Sequence, residues 1–325
     1  MPIEICSLAT HDSQRRLFVA HKSGQLLTFS PARDGKFDFK ICKRFESKAI
    51  QQLKTIESHN SIICLADSQL TVHDLTEVAT VKTTLKYRGI TCFAAYVEEK
   101  TNKLYIAIAA NRRIYVLEWI EDEFRELSIK FYDNDQFLEN AESLTWCGKS
   151  RVAFSIKGEY WIVQVLENEI DRARLQQRIG HMNRLFCAGN KLDKPLIIDF
   201  PDREIVGFCR DNNVVFSSYY GTQTKKCDDI MLDSPPKALA YDSPYLLAIL
   251  DKGVIEIRSL KPSMLIQRIQ LNKQSSAKIL CSSRPGHVFA CGSKDVWLLN
   301  SHPRLTNNIN SLKADKQFAL AIQLA

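Results

Sequence analysis

The side chains able to do chemistry in this sequence are ten cysteines, seven histidines and a large set of carboxylates. Thiolate and imidazole groups hold zinc, or serve as nucleophile and base, when short fixed spacings bring them together. Here no two cysteines form a C-x-x-C pair, and the histidines are scattered from His11 to His302. H-E-x-x-H, G-x-S-x-G, G-x-G-x-x-G and the Walker-type phosphate loop are all absent. A triad gathered from distant strands leaves no local trace, but nothing in the sequence points to one. The reading is a non-catalytic chain with no cofactor and no metal. One near-motif, Val72-His73-Asp74-Leu75, closes an apolar segment and marks a strand end, not a metal ligand.

Charge is the other candidate. The chain carries a net +7, spread over short clusters at Arg15-Arg16, Arg112-Arg113 and Lys225-Lys226. The densest cluster is Arg172, Arg174, Arg178, His181 and Arg184. Solvated loops and strand edges account for most such residues, since lysine and arginine also discourage edge pairing. The sharper expectation is that the cluster meets an acidic protein partner or an anionic membrane surface. Nucleic acid is disfavoured, because no aromatics alternate with the basic residues as base stacking requires.

The elements that must carry these groups are clearest in Pro235–Leu271. Turns at Pro235-Pro236, Asp242-Ser243-Pro244, Asp251-Lys252-Gly253 and Lys261-Pro262-Ser263 separate four short segments. Those segments are Lys237–Tyr241, Tyr245–Leu250, Val254–Leu260 and Leu265–Leu271, the outline of a four-stranded antiparallel meander. In the third, Ile255 and Ile257 alternate with Glu256 and Arg258, as in a sheet with one wetter face. Tyr245–Leu250 has no polar break and reads as buried on both faces.

The unit recurs. Apolar second segments begin near Leu17, Ile62, Leu104, Arg151, Val214, Leu246 and His287. Most are spaced by the ~40–45 residues of a propeller blade. The expected fold is all-β: a seven-bladed β-propeller of four-stranded antiparallel blades, favoured over six or eight. The spacing is long before Val214 and short after it, which reads as an insertion at Asn168–Phe200 followed by a shortened fifth blade, with Glu204–Cys209 as its first strand. Long loops on propellers are docking sites, so this insertion ranks first among functional surfaces.

Most cysteines fall inside apolar segments, where a free thiol behaves as a small hydrophobe, so a reducing, cytosolic setting is expected. No apolar run approaches the ~20 residues of a membrane helix. The N-terminal MPIEICSLATHD has no targeting pattern. The pattern changes after Ser301-His302-Pro303. Ser311 reads as an N-cap, and Ala314, Phe318, Ala321, Ile322 and Ala325 share one helical face. The expected division is therefore 1–303 propeller and 304–325 linker plus the first helix of a truncated α-solenoid. That helix should add little to the propeller's stability.

Several stretches resemble the citron-homology (CNH) domain family: Lys22–Leu27, Ile50-Gln51-Gln52, Val72–Leu75, Ser143–Cys147, Pro244–Arg258 and Asp315–Ala321. The last resembles the point where such propellers pass into an α-solenoid. These motifs are structural and carry over no catalytic residue. The resemblance implies a HOPS-type membrane-tethering subunit, peripheral on late endosomes and lysosomes or vacuoles. It would bind a late-endosomal Rab GTPase and other tethering-complex subunits. A CORVET-type early-endosomal subunit and nucleotide exchange on a small GTPase are the alternatives. Family members carry another strand ahead of the first blade that completes the last one. Here Met1 sits almost on the Ile3–Ala9 strand, so the last blade is expected to have three strands, or Arg304–Ile309 along it.

Overall fold

The computed structural model describes residues 4–33, 36–44, 46, 48–129, 137, 139–166, 180–271, 277–283, 285–300, 309–310 and 313–314. Seven antiparallel sheets follow one another along the chain, each a meander from an inner to an outer strand. Blade one is β1 (Ile5–His11), β2 (Arg16–His21), β3 (Gln25–Pro31) and β4 (Phe37–Arg44). Blade two is β5 (Ile50–Ile56), β6 (Ser61–Ala66), β7 (Gln69–Asp74) and β8 (Val81–Thr84). Blade three is β9 (Ile90–Glu98), β10 (Lys103–Ala110), β11 (Arg113–Ile120) and β12 (Glu123–Glu126). Blade four is β13 (Ser143–Cys147), β14 (Arg151–Ile156), β15 (Glu159–Gln164) and β16 (Met182–Cys187). Blade five is β17 (Ile197–Phe200), β18 (Ile205–Arg210), β19 (Asn213–Ser218) and β20 (Ile230–Met231). Blade six is β21 (Ala238–Asp242), β22 (Tyr245–Ile249), β23 (Val254–Leu260) and β24 (Ser263–Gln270). Blade seven holds, among the described residues, β25 (Ile279–Ser282), β26 (His287–Cys291) and β27 (Val296–Asn300).

Local chemistry sets the hairpins. Asp67-Ser68, Asn111-Arg112 and Lys157-Gly158 each place two successive residues at positive φ. That geometry matches the right-handed twist of the flanking strands and so permits two-residue turns. The second strands are largely apolar, with LFVA inside β2 and IICLA inside β6, because blades cover both of their faces. Outer strands are polar and wet, as in VKTT of β8 and EFRE of β12.

The core is a set of seams between neighbouring blades. Phe18 and Ile62 pack in the seam of blades one and two, and Phe93 and Ile106 lie in that of two and three. Tyr160 and Phe208 join blades four and five, and Phe216 and Leu246 join five and six. Ile5, Leu8, Leu17 and Val19 of blade one meet Phe289 and Cys291 of blade seven, which closes the ring. The Ile5 amide also donates to the Ser293 carbonyl at 2.9 Å. Among the described residues closure rests on this face packing and that backbone bond, with β1 innermost in blade one.

Blade five corrects the sequence reading. Ile205–Arg210 is its second strand, not its first, and Asn213–Ser218 is its third. Its first strand, Ile197–Phe200, came from the stretch assigned to the insertion, and so did Met182–Cys187, the outer strand of blade four. The fifth blade is thus complete, and the excursion is confined to the connection between β15 and β16. The reading of a helix from Leu312 falls mostly outside the described residues. Ile309, just before it, packs half-buried against Tyr245, Leu247, Ile257 and Val288.

Candidate partner-binding face

In the six four-stranded blades the first-to-second and third-to-fourth connections emerge on one face of the ring, as the up-and-down strand order requires. The longest of them joins β15 to β16. The Val165 and Leu166 amides donate to the Ser150 carbonyl at 2.8 and 3.1 Å, and the Gly180 amide donates to the Gln164 carbonyl at 2.7 Å. These bonds pin one end of the excursion to the β13–β14 turn and the other to the end of β15.

Beneath that base lies a rigid polar layer. Arg151 is buried, donates to Gln164 Oε1 at 3.3 Å, and stacks its guanidinium over the Tyr220 ring at 4.0 Å. Asn183 Nδ2 donates to the Tyr220 carbonyl at 3.3 Å, tying β16 to the neighbouring blade. A buried arginine that is both stacked and hydrogen-bonded holds its place far better than a solvated one.

Of the sequence-predicted site residues, Arg172, Arg174 and Arg178 lie outside the described residues. His181 is half-buried, and its carbonyl accepts from the Gln164 amide. Arg184 stands on the exposed side of β16 and donates to Glu159 of β15, so its charge is already compensated within the blade. Of the two described members, His181 sits at the base of the excursion and Arg184 further along β16.

The structure also shows groups that the sequence reading missed. Asp199 of β17 accepts a hydrogen bond from the Tyr219 hydroxyl, and burial pushes its carboxyl up to about 6. Asp followed by Phe and Pro in a four-residue strand gave no pattern that could have flagged it. A groove of 460 Å³ runs between β16 and blade five, past Arg184, Phe186, Val215, Gln223 and Asp229. It lies where β20 has only two residues, beyond which β19 meets the outer layer through the Ser217–Gln223 bridge and the Ser218–Thr222 backbone bond.

All ten cysteines are free thiols. Burial pushes Cys92 and Cys281 up to about 11 and Cys291 up to about 12, so each is protonated and a poor nucleophile at neutral pH. Among the described residues no three histidine, cysteine or acidic side chains are grouped to hold a metal ion. No helix among them is long and apolar enough to cross a membrane. His73 is buried and shares a hydrogen-bond cluster with Thr71 and Glu46, at 2.9 and 3.3 Å. Asp74 accepts from the amides of Thr76 and Glu77, so the Val72–Leu75 near-motif caps a turn.

The fold and this face define a propeller whose assets are rigid surfaces and grooves. The chain belongs to the CNH-domain family, whose sequence pattern matches residues 13–283. It is 30% identical over its whole length to vacuolar protein sorting-associated protein 39 homolog of Caenorhabditis elegans. It is 28% identical, again over its whole length, to the Vam6/Vps39-like proteins of Mus musculus and Homo sapiens. The chain spans 36% of the length of each of these relatives. Among solved structures, the AfRom2 CNH domain superposes with a TM-score of 0.61 over 92% of this chain and 95% of that one. At 14% identity, that likeness is one of fold.

Proposed function

We propose that this chain is the propeller module of a Vps39-type subunit of an endolysosomal tethering complex of the HOPS type, and that it works by binding, without catalysis. The observation that carries the reading is the 30% identity with a Vps39 homolog along the full length of the chain. In this reading residues 1–303 form the propeller and 304–325 lead into an α-solenoid. The subunit sits peripherally on late endosomes and lysosomes. It contacts other tethering-complex subunits and a late-endosomal Rab GTPase, and so promotes fusion of endosomes and autophagosomes with the lysosome.

The binding element in this reading is the excursion that carries Arg172, Arg174 and Arg178, anchored on the Ser150–Gln164 base. Positive charge on a mobile-partner face raises encounter rates with acidic surfaces. A GTPase would bind in its GTP form, since that state orders the switch loops into a surface. The test is a pull-down of late-endosomal Rab GTPases in both nucleotide states, with liposome flotation alongside, at two salt concentrations. The triple variant Arg172→Glu, Arg174→Glu, Arg178→Glu should bind more weakly, and the difference should shrink with salt, which screens beyond ~8 Å at ~0.15 M. Equal binding by the variant and the wild type would remove the excursion from the interface.

A further inference from the structure

Blade seven poses a separate problem. Its third strand β27 reads VWLLN, yet none of Val296, Trp297, Leu298 and Leu299 is buried, and Leu298 is 37% exposed. In the other blades an outer strand pairs with the third, for only two residues in blade five. Blade four shows the rule, where β15 (EYWIVQ) has four buried positions under β16. The composition of β27 is that of a covered strand placed at an edge. Its partner β26 takes up one side of its backbone through the pairs Cys291–Val296 to His287–Asn300. Among the described residues nothing pairs with the other side.

Beside this edge the seam of blades one and seven opens into a groove of 680 Å³. Leu17, Val19, Phe29, Phe37 and Phe289 form its apolar walls, with Val296 and Leu298 of β27 along it. It continues past Phe37, Phe289 and Leu298 into a second hollow of 340 Å³. Cations stand at its rims: Lys36 and Lys294 on the first stretch, and Arg15, Arg16 and Arg33 on the second. Among the described residues the carboxylates lining the two stretches are Asp12 and Asp295, and Asp12 accepts a hydrogen bond from the Ser283 hydroxyl. The groove is therefore apolar in the middle and positive at its rims.

We infer that this groove receives an extended, acidic-flanked apolar segment of a partner protein, which adds to β27 as the fourth strand of blade seven. Strand addition supplies main-chain hydrogen bonds for affinity, and alternate side chains entering the groove supply selectivity. Apolar side chains of the segment would lie over Phe29, Phe37 and Phe289, and its flanking carboxylates would meet the cationic rims. Directly after β27 the sequence runs Ser301-His302-Pro303-Arg304-Leu305, with one aliphatic side chain, a proline and further positive charge. This inference stands whether or not the tethering reading does.

The test uses the full 325-residue chain and two fluorescent probe peptides, acetyl-EDVTVTVDE-amide and its charge-reversed form with lysine for each acid. The acidic probe should bind in anisotropy titrations, and the lysine probe should not. On binding, the outward-facing amides of Val296–Asn300 should gain protection from hydrogen exchange. Leu298→Lys and the double variant Arg33→Glu, Lys294→Glu should each weaken the acidic probe about tenfold, a loss of ~1.4 kcal/mol, with circular dichroism unchanged. The inference is overturned if neither probe binds, if both bind alike, or if the variants bind like the wild type. It is also overturned if those amides are already protected without probe, since the edge would then be covered by the chain itself. Concentration-dependent dimerisation that Leu298→Lys abolishes would assign the edge to a second copy and overturn it equally.

Discussion

The Tyr219 hydroxyl donates to Asp199 Oδ1 at 2.7 Å, joining the innermost strand of blade five to the turn beyond its third strand. The Tyr219 ring also covers Gly148 of blade four, where an added Cβ would lie 2.8 Å from Cε2. Asp199 therefore sits under the seam of two blades, and its burial raises the carboxyl from 3.8 to about 6. Between those values the folded state binds more protons than the unfolded one, so stability falls as pH rises. The loss is complete above about pH 6. Asp199→Asn keeps an acceptor for Tyr219 and removes the buried charge. At about pH 7.5 the variant should be more stable than wild type by about 1–2 kcal/mol, with the gap closing towards about pH 4. Urea melts at several pH values measure this directly.

Gly207 lies in the middle of β18, where a Cβ would meet Phe200 Cε2 at 2.9 Å, Ile198 Cγ2 at 3.1 Å and Val214 Cγ1 at 3.2 Å. Phe200 is fully buried and has no room to retreat. Gly207→Val should cost about 2–3 kcal/mol by overpacking, read from the urea midpoint. A neutral result would contradict the placement of β17 beside β18.

How far the sequence carried depends on the regularity of each blade. Second strands were legible at Leu17, Ile62, Leu104, Arg151, Leu246 and His287 because both of their faces are covered, which demands an unbroken apolar run. Blade five broke the register for a physical reason. β17 has four residues and one is the polar Asp199, while β20 has two, so β18 and β19 were the only pattern visible. The hairpin was therefore read one strand early. Candidate sites were less legible still. Grooves lie where the outer strand is short, as beside β19, or where none stands among the described residues, as beside β27, and neither leaves a pattern to read. The Asp199–Tyr219 bond joins positions twenty residues apart, and only the fold brings them together.

Glu256 of β23 is 0% exposed and accepts from Arg258 Nε and Arg268 Nη2, each at 2.8 Å. Asp233 lies on the outer side of both arginines. Removing a partner from a buried charge leaves it uncompensated. Arg258→Met should therefore destabilise by about 3 kcal/mol. The double variant Glu256→Met, Arg258→Met should recover most of that loss. A double-mutant cycle in urea distinguishes this from simple loss of packing.

Ile309 marks where the C-terminal stretch begins to matter to the ring. Its packing on Tyr245 and Leu247 predicts that Ile309→Ser costs about 1–2 kcal/mol. Removal of residues 311–325 should leave the melting temperature within a few degrees. Equal, large losses from both changes would show that the later residues are integral to the propeller.

The proposed role of the protein is binding within a tethering machine. A content-mixing assay between purified late endosomes and lysosomes tests it most directly. Depletion of the full-length protein should stop mixing, and adding back the full-length complex should restore it. Add-back of a full-length Arg172→Glu, Arg174→Glu, Arg178→Glu protein should restore it less well. Undiminished mixing after complete depletion would contradict the claim.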